Sequence, residues 1–201
     1  MKMIVADLEG VFLPEIWINV AQKTGIEELK LTTRDISDYD VLMTRRLAIL
    51  KENHLRIQDI QEVIATLDPL PGAKETLDWI RSRAQIIVLS DTFEEFARPL
   101  MAKLGFPALL CHSLTIDDQG NITNYNLRID NQKQKAVQAF QKLNFHVIAF
   151  GDSYNDIGMI QAADQGFFFK PPETVVTEFP DIPVTRNYDE LKAMLGRLLT
   201  P

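Results

Sequence analysis

The sequence predicts an α/β fold, a doubly wound and mostly parallel sheet with an inserted small helical cap. Three observations predict it. Met3-Ile4-Val5-Ala6 and Val147-Ile148-Ala149-Phe150 are short apolar runs suited to buried parallel strands, and each runs directly into an acidic turn. Some sixty residues of almost unbroken helical periodicity follow the first run, too many for an ordinary βα connection. From Gly72 onward, helical and strand patterns alternate as in a βα repeat.

In chain order, Pro14 opens a helix whose Ile16, Trp17, Val20 and Ala21 share one face, and Gly25 stops it. A second helix starts near Asp38 with Tyr39, Leu42, Met43, Leu47 and Leu50 on its stripe. A third carries Ile60, Val63, Ile64 and Leu67 at i, i+3, i+4, i+7 spacing. Pro69-Leu70-Pro71-Gly72 ends this segment, so residues 13–71 are expected to form the cap and residues 1–12 with 72–201 the core. Next come a helix through Leu77 and Ile80, a strand over 85–89, and a helix bearing Phe93, Phe96, Ala97, Leu100, Met101 and Leu104. Thr92 and Glu95 read as the capping box of that helix, with Gly105 as its stop. A short strand over 108–111, a hairpin turning at Asp118-Gln119-Gly120-Asn121 and a helix with Ala136, Val137, Phe140 and Leu143 follow. After the strand ending at Phe150, the pattern gives a helix over 157–163, a strand over 166–169 and a final helix with Leu191, Leu195 and Leu198.

Composition narrows the function classes. A 201-residue chain with 46% hydrophobic content can bury one core and carry an insertion. Its net charge of −7 disfavours nucleic acid and anionic membranes, which call for basic surface. Cys111 is the sole cysteine, so no internal disulfide forms, and its neighbours Leu109 and Leu110 suit a buried thiol better than a reactive one. His54, His112 and His146 lack zinc-ligand spacing. No apolar run approaches the roughly 20 residues of a membrane span, and the N-terminus opens on a strand with no signal peptide, so a cytoplasmic setting is expected.

Chemistry concentrates at the strand ends. Asp7 and Glu9, two apart, would face one side of a bare strand, which suits a nucleophile toward phosphorus and a proton donor to the leaving oxygen; a solvated acidic turn before Gly10 is the plainer reading. Asp152 and Asp156, four apart after Gly151, can approach one site, and Asn155 adds a neutral amide beside them. A simple helix cap would need only one of these acids. Carboxylates gathered at about 4 Å repel by on the order of 4 kcal/mol per pair at an effective dielectric near 20, and hard oxygen donors without sulfur point to Mg2+ as the compensating ion. Ser90 ends a strand ahead of a helix, where its hydroxyl and nearby N–H groups can cap that helix or hold a phosphate oxygen. Lys133 sits at a helix start, an unfavourable place for a cation unless it meets a carboxylate or phosphate; Lys135 is the competing candidate. Arg46 falls inside the apolar stripe of the second helix and Arg45 at its edge, so Arg46 needs an anion such as a carboxylate. Glu15 suits an ammonium, or simply the helix dipole.

The order of these features, acidic pair, Ser90, Lys133 and Gly-Asp-x-x-x-Asp, with a helical insertion behind the first, resembles the haloacid dehalogenase superfamily over essentially the whole chain. The four motifs are specific jointly and weak singly. The resemblance implies a Rossmann-like core and a magnesium-dependent reaction in which Asp7 is phosphorylated. It further implies that the Asp7 side chain, the Glu9 backbone carbonyl and Asp152 hold the ion, that Asp156 supports it through water, and that Ser90 and Lys133 hold the phosphoryl group. Where Glu9 stands the family usually has Asp, one carbon–carbon bond or about 1.5 Å shorter. Glu15 after the first motif, Ser90-Asp91-Thr92 at the second and Asn155 in the fourth bring the likeness closest to the phosphoserine phosphatases of that family. By that likeness Glu15, Arg46, Ser90, Asp91, Lys133 and Asn155 are expected to bind substrate, with phosphoserine as that substrate and homoserine as an alternative phosphoryl acceptor. A phospho-accepting receiver also joins acids, a hydroxyl and a lysine on a doubly wound sheet, but it places its acidic pair before the phosphorylated Asp and has no such insertion.

Overall fold

A computed structural model of the chain describes residues 1–32, 35–36 and 38–200. The described residues form a seven-stranded sheet in the order β4-β3-β2-β1-β5-β6-β7. Its strands are β1 (Lys2–Ala6), β2 (Gln85–Phe93), β3 (Ala108–Ile116), β4 (Ile122–Asn126), β5 (His146–Gly151), β6 (Gln165–Phe169) and β7 (Val184–Thr185). All pairings are parallel except β3 with β4, a hairpin turning at Asp117–Asn121. The chain winds outward from β1 through β2 and β3, then returns to the other side of β1 as β5. That reversal between β1 and β5 is a topological switch point, where such sheets open a ligand crevice beyond their carboxyl ends.

Strand alternation sorts the core into two faces. Ile4, Ala6 and Phe150 pack on one side of the sheet, Met3, Val5, Val147 and Ala149 on the other. The first face receives the helices α1 (Ile16–Thr24), α3 (Ile57–Ala65), α4 (Ala73–Arg81), α5 (Glu94–Met101) and α9 (Tyr188–Leu199), whose apolar stripes join one buried cluster. Helices α6 (Gln132–Lys142) and α7 (Ile157–Ala162) cover the second face, and α8 (Glu173–Glu178) packs by Val175 against Phe168.

Between β1 and β2 the chain is helical, as the periodicity requires. Alpha-helix α1 ends at Gly25 in the left-handed conformation, and α2 (Tyr39–Glu52) is capped by Asp38, whose carboxylate accepts from Val41 N. A 3-10 turn at Glu27–Lys30 lies between them. Pro99 inside α5 has no N–H to give, and the freed Glu95 carbonyl accepts instead from Gln61 Nε2 of α3 at 2.8 Å. That contact ties the inserted helices to the α/β layers.

Four sequence expectations need correction. Strand β2 does not stop at Leu89 but continues through Ser90, Asp91 and Thr92 to Phe93, its pairing with β3 shifting register after Leu89. Helix α5 therefore starts at Glu94, and the Thr92–Glu95 capping box does not form; the Glu95 carboxylate accepts from Leu114 N at 3.0 Å. Strand β3 extends well past Cys111 because it pairs on both sides. The short α8 and β7 carry too little periodicity to be read from sequence. Cys111 is buried, and burial reinforced by Glu94 and Glu95 pushes its thiol up to about 12.

Candidate active site

The crevice at the β1–β5 switch point gathers the acidic residues from both strand ends. Asp7 N donates to Phe150 O at 3.1 Å, which extends the β1–β5 ladder by one rung and sets Asp7 beside the turn after β5. The chain then bends through Gly10 at φ +74°, and a Cβ there would lie 2.3 Å from Asp152 Oδ2. Gly151 plays the same part for Asp156, whose carboxylate carbon would stand 2.2 Å from an added Cβ. Two glycines thus let two carboxylates lie directly against backbone.

Asp7, Asp152 and Asp156 are buried, and each offers an oxygen within 4.8 Å of the others. Lys133, at the start of α6, enters this cluster with Nζ 2.9 Å from Asp7 Oδ1 and 2.8 Å from Asp156 Oδ1. Burial opposes its charge, but Asp156, Asp7 and Asp91 outweigh that and hold the ammonium's pKa well above its ordinary value. Lys135, the competing candidate, is half-buried and pairs with Asp130 outside the cluster. Asp156 Oδ2 accepts from the backbone N–H groups of Asp152 and Ser153 at 3.0 and 3.1 Å, so this fully buried acid fixes the turn. Burial and the Asp156 charge, against Lys133, raise the Asp7 carboxyl well above the usual carboxylate range. The cluster is short of positive charge.

Glu9 turns away from Asp152 toward the inserted helices. Its Oε2 accepts from Ile16 N, the first residue of α1, at 2.8 Å, and the Thr92 hydroxyl bonds to it from β2. Burial, then the neighbouring Glu15, lift its carboxyl to about 7 against those bonds and the attraction of Arg46. Glu15 itself occupies the N-cap position of α1, with no side-chain cap bond, and is exposed. Arg46 is buried, with its guanidinium 4.5 Å from the Trp17 ring and NH2 donating to Leu31 O at 2.7 Å. Its buried Nε has no partner among the described residues. Arg45 is exposed. Burial lowers Arg46 to about 10, partly restored by Tyr39, Glu9 and Glu15.

Ser90 is buried, its Oγ accepting from Thr92 N at 3.3 Å. Asp91 Oδ2 receives Asn155 Nδ2 at 3.0 Å and faces Lys133 Nζ at 3.7 Å. A cavity of about 410 Å³ brings together Asp7, Glu9, Glu15, Arg46, Ser90, Asp91, Asp152 and Asn155, with Lys170 at its margin. Sequence reasoning missed Thr92, Tyr39, Gln132 and His112, which meet these residues only through the fold. The one local signal was that Gln132 precedes Lys133.

A doubly wound core with carboxylates and a lysine converging at its switch point defines a class of phosphoryl-transferring hydrolases. A family model described as haloacid dehalogenase-like hydrolase matches residues 2–164, and the chain belongs to that family. It is 56% identical to the phosphoserine phosphatase ThrH of Pseudomonas aeruginosa, covering 96% of this chain and 94% of that protein. It is 55% identical to a phosphoserine phosphatase of Pseudomonas syringae pv. tomato over 92% of this chain and 78% of the relative. The fold superposes on a crystal structure of phosphoserine phosphatase in its apo form with a TM-score of 0.77 at 23% identity, covering 97% of this chain and 98% of that one.

Proposed function

We propose that the chain is a magnesium-dependent phosphoserine phosphatase. One observation carries the substrate: the cavity that holds Asp7 also holds a buried guanidinium, Arg46, whose Nε lacks a partner among the described residues. A buried unpaired donor on a cation is costly, and a substrate carboxylate would satisfy it. Glu15, across the same cavity, suits the ammonium of the same amino acid. Two relatives more than half identical to this chain carry the name phosphoserine phosphatase.

In this reading an Asp7 oxygen attacks phosphorus, the bond from phosphorus to the serine oxygen breaks, and Glu9 delivers its proton to that departing oxygen. A water then attacks the aspartyl phosphate and passes a proton to Glu9, which releases phosphate and regenerates both acids. A carboxyl near 7 can serve both directions at neutral pH. Ser90 and Lys133 orient the phosphoryl oxygens, and residues 13–71 act as a cap that brings Arg46 and Glu15 over the core.

The donor set fits a hard divalent ion: three buried carboxylates offer oxygens within 4.8 Å of one another, and burial, then the Asp156 charge, keeps the Asp7 carboxyl well above its usual range. The Asp7 side chain, the Glu9 carbonyl and Asp152 would hold Mg2+, with Asp156 assisting through water. When bound, the ion would supply charge neutralisation for the phosphoryl oxygens. Transfer of the phosphoryl group to homoserine shares the first half-reaction, and the anchoring of the longer Glu9 on α1 is the observation that favours testing it.

The test is to incubate purified protein with phosphoserine and Mg2+, with and without homoserine, and identify every phosphorylated product. Serine and phosphate are the expected products. Phosphohomoserine in the second arm would establish transfer, and faster turnover of a sugar phosphate than of phosphoserine would overturn the roles given to Glu15 and Arg46.

A further inference from the structure

Asp91 sits on the cavity wall, yet both of its carboxylate oxygens already face protein donors. Oδ1 receives Gln132 Nε2 at 3.1 Å and lies 3.6 Å from His112 Nε2; Oδ2 receives Asn155 and faces Lys133. Its own carbonyl accepts from the Tyr39 hydroxyl of α2 at 3.2 Å. Three elements or turns, α6, β3 and the turn after β5, therefore converge on this side chain near the end of β2, and α2 reaches its backbone.

The groups behind it are built for that purpose. Gln132 is 2% exposed and His112 4%, and buried amides and imidazoles persist only when hydrogen-bonded. Arg128, a donor only, gives Nε and NH2 to Gln132 Oε1 at 3.3 and 3.2 Å, so the Gln132 amide nitrogen must turn toward the site. That nitrogen bonds the Ser90 carbonyl as well as Asp91. His112 Nδ1 accepts from Arg128 N at 3.1 Å, which leaves the proton of the neutral ring on Nε2, the atom facing Asp91. Against burial, the Lys133 charge and then hydrogen bonds from His112, Gln132 and Asn155 hold the Asp91 carboxyl well below the ordinary range.

We infer that the Asp91 side chain is a positioning group, held by Gln132 and His112, which fixes the Ser90–Asp91 backbone and the orientation of Lys133 rather than contacting the amino-acid part of the substrate. The inference rests on the phosphatase reading for the roles of Ser90 and Lys133. It deepens that reading by assigning Gln132 and His112 a function in phosphoryl placement that follows from no local motif.

The experiment compares Asp91→Asn, Gln132→Leu and His112→Gln, the last retaining a donor near Nε2, on two phosphomonoesters: phosphoserine and p-nitrophenyl phosphate, which has no zwitterion. Misplacing the phosphoryl group should lower kcat by about ten- to a hundredfold in Asp91→Asn and Gln132→Leu, equally on both esters, with KM for phosphoserine changed less than kcat. His112→Gln should retain most activity, and the double variant Asp91→Asn/Gln132→Leu should be no worse than Asp91→Asn alone. A loss confined to phosphoserine and carried by KM would make Asp91 a substrate ligand and overturn the inference, as would unchanged kcat in both single variants or additive losses in the double. Wild-type protein that cleaved p-nitrophenyl phosphate but not phosphoserine would defeat the proposed substrate, and the kcat losses of the variants on p-nitrophenyl phosphate alone would then decide the inference.

Discussion

Glu9 Oε2 accepts the backbone N–H of Ile16 at 2.8 Å, so the acid two residues beyond Asp7 is anchored to the first turn of α1. Its carboxyl stands at about 7, raised chiefly by burial and then by Glu15. Below that pH Glu9 is protonated and can donate; above it, ionised, it can accept. Formation of the aspartyl phosphate from phosphoserine should therefore slow as pH rises through about 7, and its hydrolysis should speed up. Rapid-quench measurement of the two steps checks this, and in Glu9→Gln both dependences should vanish along with most of the rate.

Lys133 balances Asp7 and Asp156 in a buried setting, where losing one partner strands the others. Lys133→Met should cost about 3–5 kcal/mol of stability in a urea titration and abolish measurable turnover. Lys135→Ala, removing a half-exposed side chain of the same helix that pairs only with Asp130, should stay within about 0.5 kcal/mol and keep its activity.

The Tyr188 hydroxyl donates to the buried carbonyl of Val11 at 2.6 Å, tying α9 to the loop that carries Asp7 and Glu9. Tyr188→Phe keeps the ring stacked on Phe169 but leaves that carbonyl without this donor. A loss of about 1–3 kcal/mol is expected in chemical denaturation.

Removal of divalent ions should stop turnover, and Mg2+ should restore it. Because the three carboxylates repel one another in the metal-free protein, Mg2+ should also raise the melting temperature. Asp152→Asn should shrink that rise, which calorimetry reads without reference to activity.

Several of these features were legible in the sequence because they are local. The apolar runs of β1 and β5 set the sheet, Gly25 and Asp38 bounded α1 and α2, and the misfit of Lys133 at a helix start pointed to the carboxylates it meets. Arg46 stood out by falling inside an apolar stripe. What escaped depends on distant partners. Thr92 and Glu95 have the spacing of a capping box, but continuation of β2 to Phe93 hands Thr92 to Glu9 and Glu95 to Leu114. Apart from Gln132 preceding Lys133, Gln132 and His112 carry no local pattern, since their purpose appears only where β3 and α6 meet the end of β2.

The most direct test is to trap the protein during turnover of phosphoserine with Mg2+ and locate the phosphoryl group by reduction and peptide mass spectrometry. The account predicts a single modified side chain, Asp7, and no modification in Asp7→Asn, which should also be inactive. Phosphate found on another residue, or steady turnover by Asp7→Asn, would contradict it.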